Sequence, residues 1–168
     1  MNKLFKSFSI ILIATNIFTA NPTTIKEAAE VCQIPQHVGS WVKYWITYTS
    51  DGANKDRWQS AEETFRTRKG DCEDYAILAI ELLKELGVKG QLMHFTFYKG
   101  KNYHGHAICV FKENGKYNFI GTSGYNNVQV NTLKEVGIKS MQRYCKHSKC
   151  RFTWFKVYTE RELQNAIS

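Results

Sequence analysis

The chain has 168 residues, of which 43% are hydrophobic and 14% aromatic. This length suits one domain with a buried core, and the composition excludes a disordered chain. The formal net charge is +8. Because no lysine- and arginine-rich run comparable to a nucleic-acid-binding arm occurs, we expect no specific nucleic-acid partner.

The first twenty residues differ in character from the rest. Lys3 and Lys6 precede an apolar stretch over residues 8–18, which ends near Ala20. A spanning helix needs about 20 apolar residues, whereas a basic head followed by a shorter apolar segment is typical of a secretory signal peptide. We therefore expect residues 1–20 to be a signal peptide and residues 21–168 to be a single domain without a transmembrane helix. The mature protein would be periplasmic or secreted.

Five cysteines indicate how the thiols are used. An odd count in an exported protein leaves one thiol unpaired. Cys145 and Cys150 are close enough in sequence to pair, and Cys32 with Cys109 is a second candidate pair. The remaining thiol would be Cys72.

Apolar residues at three- and four-residue steps predict helices in the first half of the chain. The predicted helices cover residues 25–32, 38–48 and 61–68. Ser60 and Glu63 form a capping-box pattern at the start of the third helix, and Pro35 is expected to end the first.

The central helix is predicted to follow Asp71, which is a good N-cap residue. Its apolar face consists of Cys72, Ala76, Ala79, Leu83 and Leu86. Gly87 supplies a C-cap signal. Cys72 therefore lies at the amino end of a buried helix, where the helix dipole favours the thiolate that a nucleophile needs. The alternative is that Cys72 is a small buried hydrophobic residue.

After residue 90 the periodicity changes to two, which predicts strands at residues 91–98, 106–111, 117–120 and 152–158. Asn114-Gly115 is a hairpin signal, and residues 100–105 are expected to form a loop. A short helix is predicted at residues 132–136 and a terminal helix after Thr159. Helices come first and an antiparallel sheet follows, so the fold class is α+β, with a central cysteine-bearing helix packed on the sheet.

A cysteine nucleophile needs a general base, which is most often histidine. His106 opens the second predicted strand, 34 residues after Cys72. His104, two residues earlier on the same face, is the alternative base. The other histidines are expected to be structural or solvated.

Three segments carry a resemblance to a known family. They are Gly70-Asp71-Cys72-Glu73-Asp74-Tyr75-Ala76, then Leu86-Gly87, then Gly105-His106-Ala107 after a strand. The chain resembles the bacterial transglutaminase-like cysteine peptidases, and Trp58 with Glu63-Thr64 fits the same pattern. The resemblance implies a papain-like core, a protein or peptide substrate, and acyl transfer through a thioester. Cys72 would be the nucleophile and His106 the general base and acid.

The chain departs from the family at the third position of the triad. Gly121 stands where the family has an aspartate that orients the histidine. Asn118 or Asn126 could take that role, as could the hydroxyl of Thr122 or Ser123. Otherwise the site is a Cys-His dyad, or the protein has lost activity.

The acids beside Cys72 have two interpretations. Asp71 and Glu73 would raise the pKa of the thiol, and they could bind calcium, which takes carboxylate oxygens. The resemblance makes this plausible, since some periplasmic members of the family depend on calcium. The alternative is that the acids cap the helix and form ion pairs with basic neighbours (Arg66, Arg68 or Lys69). No cofactor is required by the chemistry.

Several functions fit these residues. The first is an exported cysteine hydrolase, most simply a peptidase, in which the Cys72 N–H and a side chain of Trp58 or Gln59 would stabilise the oxyanion. An acyl transferase that crosslinks a glutamine side chain to an amine uses the same thioester. A peptidoglycan-cleaving enzyme is disfavoured, because that group carries Ser-Gly where Glu73-Asp74 stands here. A binding module with the same fold and no turnover is the non-enzymatic alternative.

Overall fold

The computed structural model describes residues 21–52, 56–145 and 148–167. The predicted signal peptide at residues 1–20 lies outside these ranges. Within them, no helix is both long enough and apolar enough to cross a membrane.

The described residues form six helices and seven strands. The helices are α1 (Ile25–Cys32), α2 (Pro35–Trp45), α3 (Ala61–Thr67), α4 (Cys72–Glu85), α5 (Leu133–Tyr144) and α6 (Glu160–Ala166). The strands are β1 (Thr47–Tyr48), β2 (Lys69–Gly70), β3 (Gly90–Lys99), β4 (Asn102–Glu113), β5 (Lys116–Gly121), β6 (Gly124–Val130) and β7 (Cys150–Val157). The α+β prediction is confirmed.

Five of the strands form one antiparallel sheet in the order β6-β5-β4-β3-β7. β4 lies at its centre and pairs with the whole of β3, from Gly90–Phe111 to Lys99–Asn102. Its pairing with β5 begins only at Cys109, opposite Ile120. The first half of β4 therefore has a neighbour on one side only. The remaining two strands, β1 and β2, form a short parallel pair in front of α4.

The sheet is covered on both faces. One core joins the sheet to the N-terminal helices and α4, with Ala107, Cys109 and Phe111 of β4 facing these helices. The other core joins the opposite face to α5 through Ile108, Val110 and their neighbours. Because side chains alternate along a strand, consecutive residues of β4 belong to different cores.

The predicted caps and turns are confirmed. Ser60 accepts a hydrogen bond from the Glu63 N–H at the start of α3. At the end of α4, Gly87 has a φ of +72° and the Val88 N–H reaches the Leu83 carbonyl, which is a Schellman ending. Asn114 and Gly115 both have positive φ values in the β4–β5 turn, as a two-residue hairpin requires.

The structure differs from the prediction in several places. The second helix runs over Pro35–Trp45, not residues 38–48. Pro35 starts this helix because proline is well suited to the first helical turn. The predicted loop at residues 100–105 is mostly strand, since β3 and β4 are joined by the two residues 100 and 101. β6 was not predicted, and α5 extends eight residues beyond the predicted end at residue 136.

The cysteines are partly as predicted. Cys145 and Cys150 form a disulfide between the end of α5 and the start of β7. Cys32 and Cys109 are free and buried, so their proposed pairing is wrong. Cys72 is free and partly buried.

Candidate active site at the start of α4

The start of α4 is fixed by a buried carboxylate. Asp74 accepts hydrogen bonds from the Asp71 N–H at 3.1 Å, the Gln59 N–H at 2.8 Å and the Gln59 side-chain amide at 2.7 Å. At Gly70, an added Cβ would lie 2.5 Å from the Cβ of Asp74, so only glycine allows the chain to pass this close. These contacts hold Cys72, the first residue of α4, in a defined position.

The thiol of Cys72 has two polar neighbours. Its Sγ donates a hydrogen bond to Glu73 Oε2 at 3.0 Å, and the backbone N–H of Ala107 interacts with it from β4. Burial raises the pKa of Cys72, the Glu73 carboxylate raises it further, and the Ala107 N–H lowers it. Burial and the Glu73 carboxylate thus oppose the thiolate that the helix terminus is expected to favour.

His106 lies on β4 and is only 7% exposed. Its ring packs edge-on against Phe95. Nε2 lies 2.5 Å from the hydroxyl oxygen of Tyr144, at the end of α5, and Nδ1 lies 3.4 Å from the same oxygen. Burial lowers the pKa of His106 to about 3, so the imidazole is neutral at physiological pH.

Cys72 contacts β4 from the side of α4, whereas the ring of His106 leaves β4 toward α5. The pairing of β4 with β5 begins at Cys109, which leaves the backbone of Ala107 free to face Cys72. His106 precedes Ala107 and points toward the opposite core. Tyr144 contacts His106, and the negative charge of a Cys72 thiolate raises the pKa of Tyr144. One neighbourhood therefore contains the predicted nucleophile, the predicted base and a tyrosine.

Gly121 lies where the sequence predicted the third triad position. A Cβ added there would lie 3.9 Å from His106 Nε2 and 3.3 Å from Ile108. The position therefore faces the imidazole but carries no side chain. Instead, the hydroxyl of Tyr144 is beside Nε2. Sequence reasoning missed Tyr144, because nothing in its local sequence relates it to a histidine 38 residues away.

Asn118 is engaged elsewhere. Its side-chain amide donates to Glu113 at 2.9 Å and to the Tyr125 hydroxyl at 3.1 Å, and its oxygen accepts from the N–H groups of Val128 and Gln129. These bonds tie β4, β5 and β6 together. Its contacts give no support to the predicted orienting role.

Asn126 and Trp58 are also used structurally. The amide of Asn126 donates to the Gly124 carbonyl. Trp58 packs edge-on against Tyr158, with ring centroids 5.2 Å apart, and forms a β-bridge with Ile167. His104, the alternative base, stacks on Phe97 at the surface.

The carboxylates of Asp71 and Glu73 lie beside the thiol. Each of these residues and Cys72 offers a ligand atom, and the three atoms lie within 4.8 Å of one another. The pKa of Asp71 is raised by burial and then by Glu73. Among the described residues, the ion pairs are Arg57–Glu63, Lys84–Glu81 and Lys156–Glu162. The predicted pairing of Asp71 or Glu73 with Arg66, Arg68 or Lys69 is therefore not present there; Arg68 lies over the ring of Phe65 instead.

A family model described as a transglutaminase-like domain matches residues 15–139, about three quarters of the chain. The chain belongs to the transglutaminase-like domain family. This confirms the resemblance seen in the sequence. The matched range includes α4 and the whole of β4, which carry Cys72 and His106.

One curated relative matches a shorter part of the chain than the family model does. The "UPF0252 protein" of Archaeoglobus fulgidus is 42% identical over 59 residues, which are 35% of this chain and 18% of the archaeal protein. The chain thus spans about a fifth of the length of that relative.

Two solved structures of Legionella pneumophila LapG are also similar. The EGTA-treated form is 20% identical, covers 71% of this chain and 75% of its own, and has a TM-score of 0.46. The calcium-bound form is 19% identical, and the match covers 70% of this chain and 76% of the LapG chain, with a TM-score of 0.47.

Proposed function

We propose that this transglutaminase-like domain is an exported cysteine hydrolase that acts on peptide bonds, with Cys72 as nucleophile and His106 as general base and acid. The observation that carries the proposal is the placement of Cys72 at the first position of a buried helix, against the N–H of Ala107, which is the residue after His106 on β4. Family membership supports the same chemistry. Export rests on the sequence of residues 1–20.

The proposed reaction runs through a thioester. His106 removes the thiol proton while Sγ attacks the substrate carbonyl, and the Cys72 N–H donates to the developing oxyanion. The amide C–N bond breaks as His106 returns the proton to the leaving amine. A water molecule, deprotonated by His106, then attacks the thioester, and Cys72 regains its proton. The Ala107 N–H favours the sulfur anion at each stage, since it lowers the pKa of the thiol.

A cation at Asp71 and Glu73 fits this proposal. The two carboxylates are close together, are partly or fully buried, and lack a basic partner among the described residues. Calcium prefers such oxygen ligands, whereas the soft sulfur of Cys72 is not a ligand for it. Its positive charge would lower the pKa of the thiol, and it would compete for the Glu73 carboxylate that now accepts from Sγ.

A binding module without turnover is the second candidate, and a specific observation favours it. The pKa of Cys72 is raised and that of His106 is lowered. Both groups are therefore neutral at rest, and Gly121 supplies no carboxylate to His106. A crosslinking transferase is distinguished from a hydrolase only by what attacks the thioester.

The test is trapping of the acyl-enzyme with p-nitrophenyl acetate, an activated ester, with and without calcium. We expect a mass increase of one acetyl group on Cys72 in the wild type and none in Cys72→Ala. His106→Gln should slow acylation roughly a hundredfold or more, as loss of a general base does. The control Cys32→Ala removes a buried thiol remote from the reaction. Without acylation of Cys72 in either condition, the binding-module alternative is favoured. Faster release of the acetyl group by added glycine methyl ester would favour the transferase.

A further inference from the structure

We infer that the Tyr144 hydroxyl holds His106 in position and in one tautomer, in place of the aspartate that the family has at the position of Gly121. Tyr144 is therefore a positioning residue of the proposed cysteine hydrolase, and the inference rests on that proposed function.

The Tyr144 hydroxyl lies beside the imidazole of His106. Its oxygen is 2.5 Å from Nε2 and 3.4 Å from Nδ1, so Nε2 is the nearer ring nitrogen. The two rings meet edge-on with centroids 4.5 Å apart. Because Gly121 has no side chain, the volume in front of Nε2 is open to a group from α5. A side chain at position 121 and the hydroxyl of Tyr144 would therefore both face Nε2, the first from β5 and the second from α5.

The Thr122 hydroxyl helps to decide the direction of this hydrogen bond. It lowers the pKa of Tyr144, as a group that donates to the phenol oxygen does. A phenol oxygen has two lone pairs, so it can also accept from the Nε2–H of His106, while the half-exposed phenol donates its own proton to water. This leaves Nδ1 without a proton and able to accept one, as a general base requires.

Tyr144 is itself held in place by neighbouring residues. The next residue, Cys145, is linked to Cys150 at the start of β7. The ammonium group of Lys99 donates to the Tyr144 carbonyl at 3.3 Å, and the ring of Phe97 lies alongside the phenol. Tyr144 is 41% exposed, whereas His106 is 7% exposed. The tyrosine therefore lies between the imidazole and water.

The experiment uses Tyr144→Phe, which keeps the ring and removes the hydroxyl. Tyr103→Phe is the matched control, since Tyr103 is 60% exposed and its ring packs at a tilt against Tyr98 near the β3–β4 turn. Two quantities are measured: steady-state hydrolysis of p-nitrophenyl acetate, and the tautomer of His106 from ¹⁵N NMR spectra of protein labelled at histidine. His106→Gln assigns the signals.

We expect the neutral Nε2–H tautomer of His106 in the wild type and in Tyr103→Phe, and a mixture of tautomers in Tyr144→Phe. We also expect kcat to fall roughly tenfold to a hundredfold in Tyr144→Phe with little change in KM, because general-base catalysis depends on the orientation of the imidazole.

Two results would overturn the inference. One is an Nδ1–H tautomer in the wild type, which would make Tyr144 the donor and leave His106 unable to accept the thiol proton. The other is an unchanged or faster reaction in Tyr144→Phe, which would make the tyrosine a spectator or an obstruction. If the wild type forms no acyl-enzyme, the proposed function fails instead, and the tautomer alone decides whether Tyr144 orients His106.

Discussion

The imidazole of His106 has lost nearly all of its hydration, because it packs between Phe95 and Tyr144. Burial lowers its pKa to about 3 in the folded protein, whereas an exposed histidine in the unfolded chain titrates near pH 6.5. Between these two values the unfolded state binds more protons than the folded state. The contribution of His106 to stability is therefore complete above the unfolded pKa and is lost as the pH falls toward the folded pKa.

This gives a prediction for His106→Gln. Between pH 6.5 and pH 4.5, the free energy of unfolding of the wild type should fall relative to the variant by about 2 kcal/mol. Urea unfolding at several pH values measures the difference. Asp74, whose pKa burial raises to about 6, acts in the opposite direction, but it is present in both proteins and cancels. His104→Gln, at an exposed histidine, is the control. Equal slopes for wild type and His106→Gln would contradict the burial of a neutral imidazole.

A carboxylate at position 121 should change the same imidazole. In Gly121→Asp, the new negative charge beside Nε2 favours the imidazolium, so the pKa of His106 should rise by about one unit or more. Gly121→Asn has the same shape without the charge and controls for the small displacement of Ile108 that a Cβ requires. Titration by histidine NMR measures both. An equal shift in the two variants would mean that packing, not charge, had changed.

The residues of the site were predictable to different degrees. Short sequence motifs identify Cys72 and His106 as candidates. Gly121 was identified because it stands at the position in the next strand where the family has an aspartate. Tyr144 was not identified, because its partner is 38 residues away and the contact depends on where α5 ends. Asn118 was a reasonable candidate by chemistry, but the alternation of β5 directs its amide to Glu113 and Tyr125.

At the scale of the elements, the sequence predicted those with strong local signals. The caps at Ser60, Thr132 and Thr159 define helix starts, and Asn114-Gly115 defines a turn. The predicted α5 was too short because its buried face includes Gly137 and Ser140. Glycine and serine are not apolar side chains, so the helical spacing of buried residues is not visible in the sequence there. A Cβ at Gly137 would lie 2.6 Å from the ring of Phe152, so the packing against β7 explains the weak pattern.

β6 was missed for a related reason. It is an edge strand whose sequence contains Gly124, Asn126 and Asn127, and such residues are depleted in strands. The pairing with β5 forms nonetheless, because Asn118 of β5 accepts hydrogen bonds from two backbone N–H groups of β6. Contacts with β5 thus stabilise a strand that its own residues do not favour.

The disulfide between α5 and β7 gives a prediction at this scale. Cys145→Ser with Cys150→Ser should lower the free energy of unfolding by about 2 kcal/mol, as expected for a short closed loop. It should also loosen the end of α5 and broaden the tautomer distribution of His106, since Tyr144 is the adjacent residue. Urea unfolding and histidine NMR measure the two effects. Cys32→Ser controls for loss of a thiol that forms no disulfide. An unchanged tautomer would show that Lys99 and Phe97 suffice to hold Tyr144.

At the scale of the whole molecule, charge is unevenly distributed. The chain has a formal net charge of +8, yet the start of α4 concentrates Asp71, Glu73 and Asp74. Asp51 and Asp56 add to the negative field there and raise the pKa of Asp71 after burial and Glu73 have done so. The folded state therefore collects carboxylates that would repel one another less in the unfolded chain.

Calcium should relieve this repulsion. A ligand that binds only the folded state at about one hundred times its Kd stabilises it by about 2.7 kcal/mol, which corresponds to a rise in Tm of roughly 5–10 °C for a domain of this size. We expect this rise in the wild type by thermal unfolding, and its loss in Asp71→Asn with Glu73→Gln. Glu30→Gln, on the exposed face of α1, is the control. An equal rise in all three proteins would mean that the ion binds elsewhere.

The central strand β4 enters and leaves the sheet through turns of only two residues. Gly100 opens the first turn with a φ of +62°, and Asn114-Gly115 forms the second with φ values of +53° and +77°. Because both turns are so short, they cannot absorb an extra residue. Inserting or deleting one residue in β4 would therefore exchange the faces that His106 and Ala107 occupy. We therefore expect natural variation in chain length to be rare between Lys99 and Lys116. The geometry of the candidate site is thus encoded partly in the two turns that bound β4.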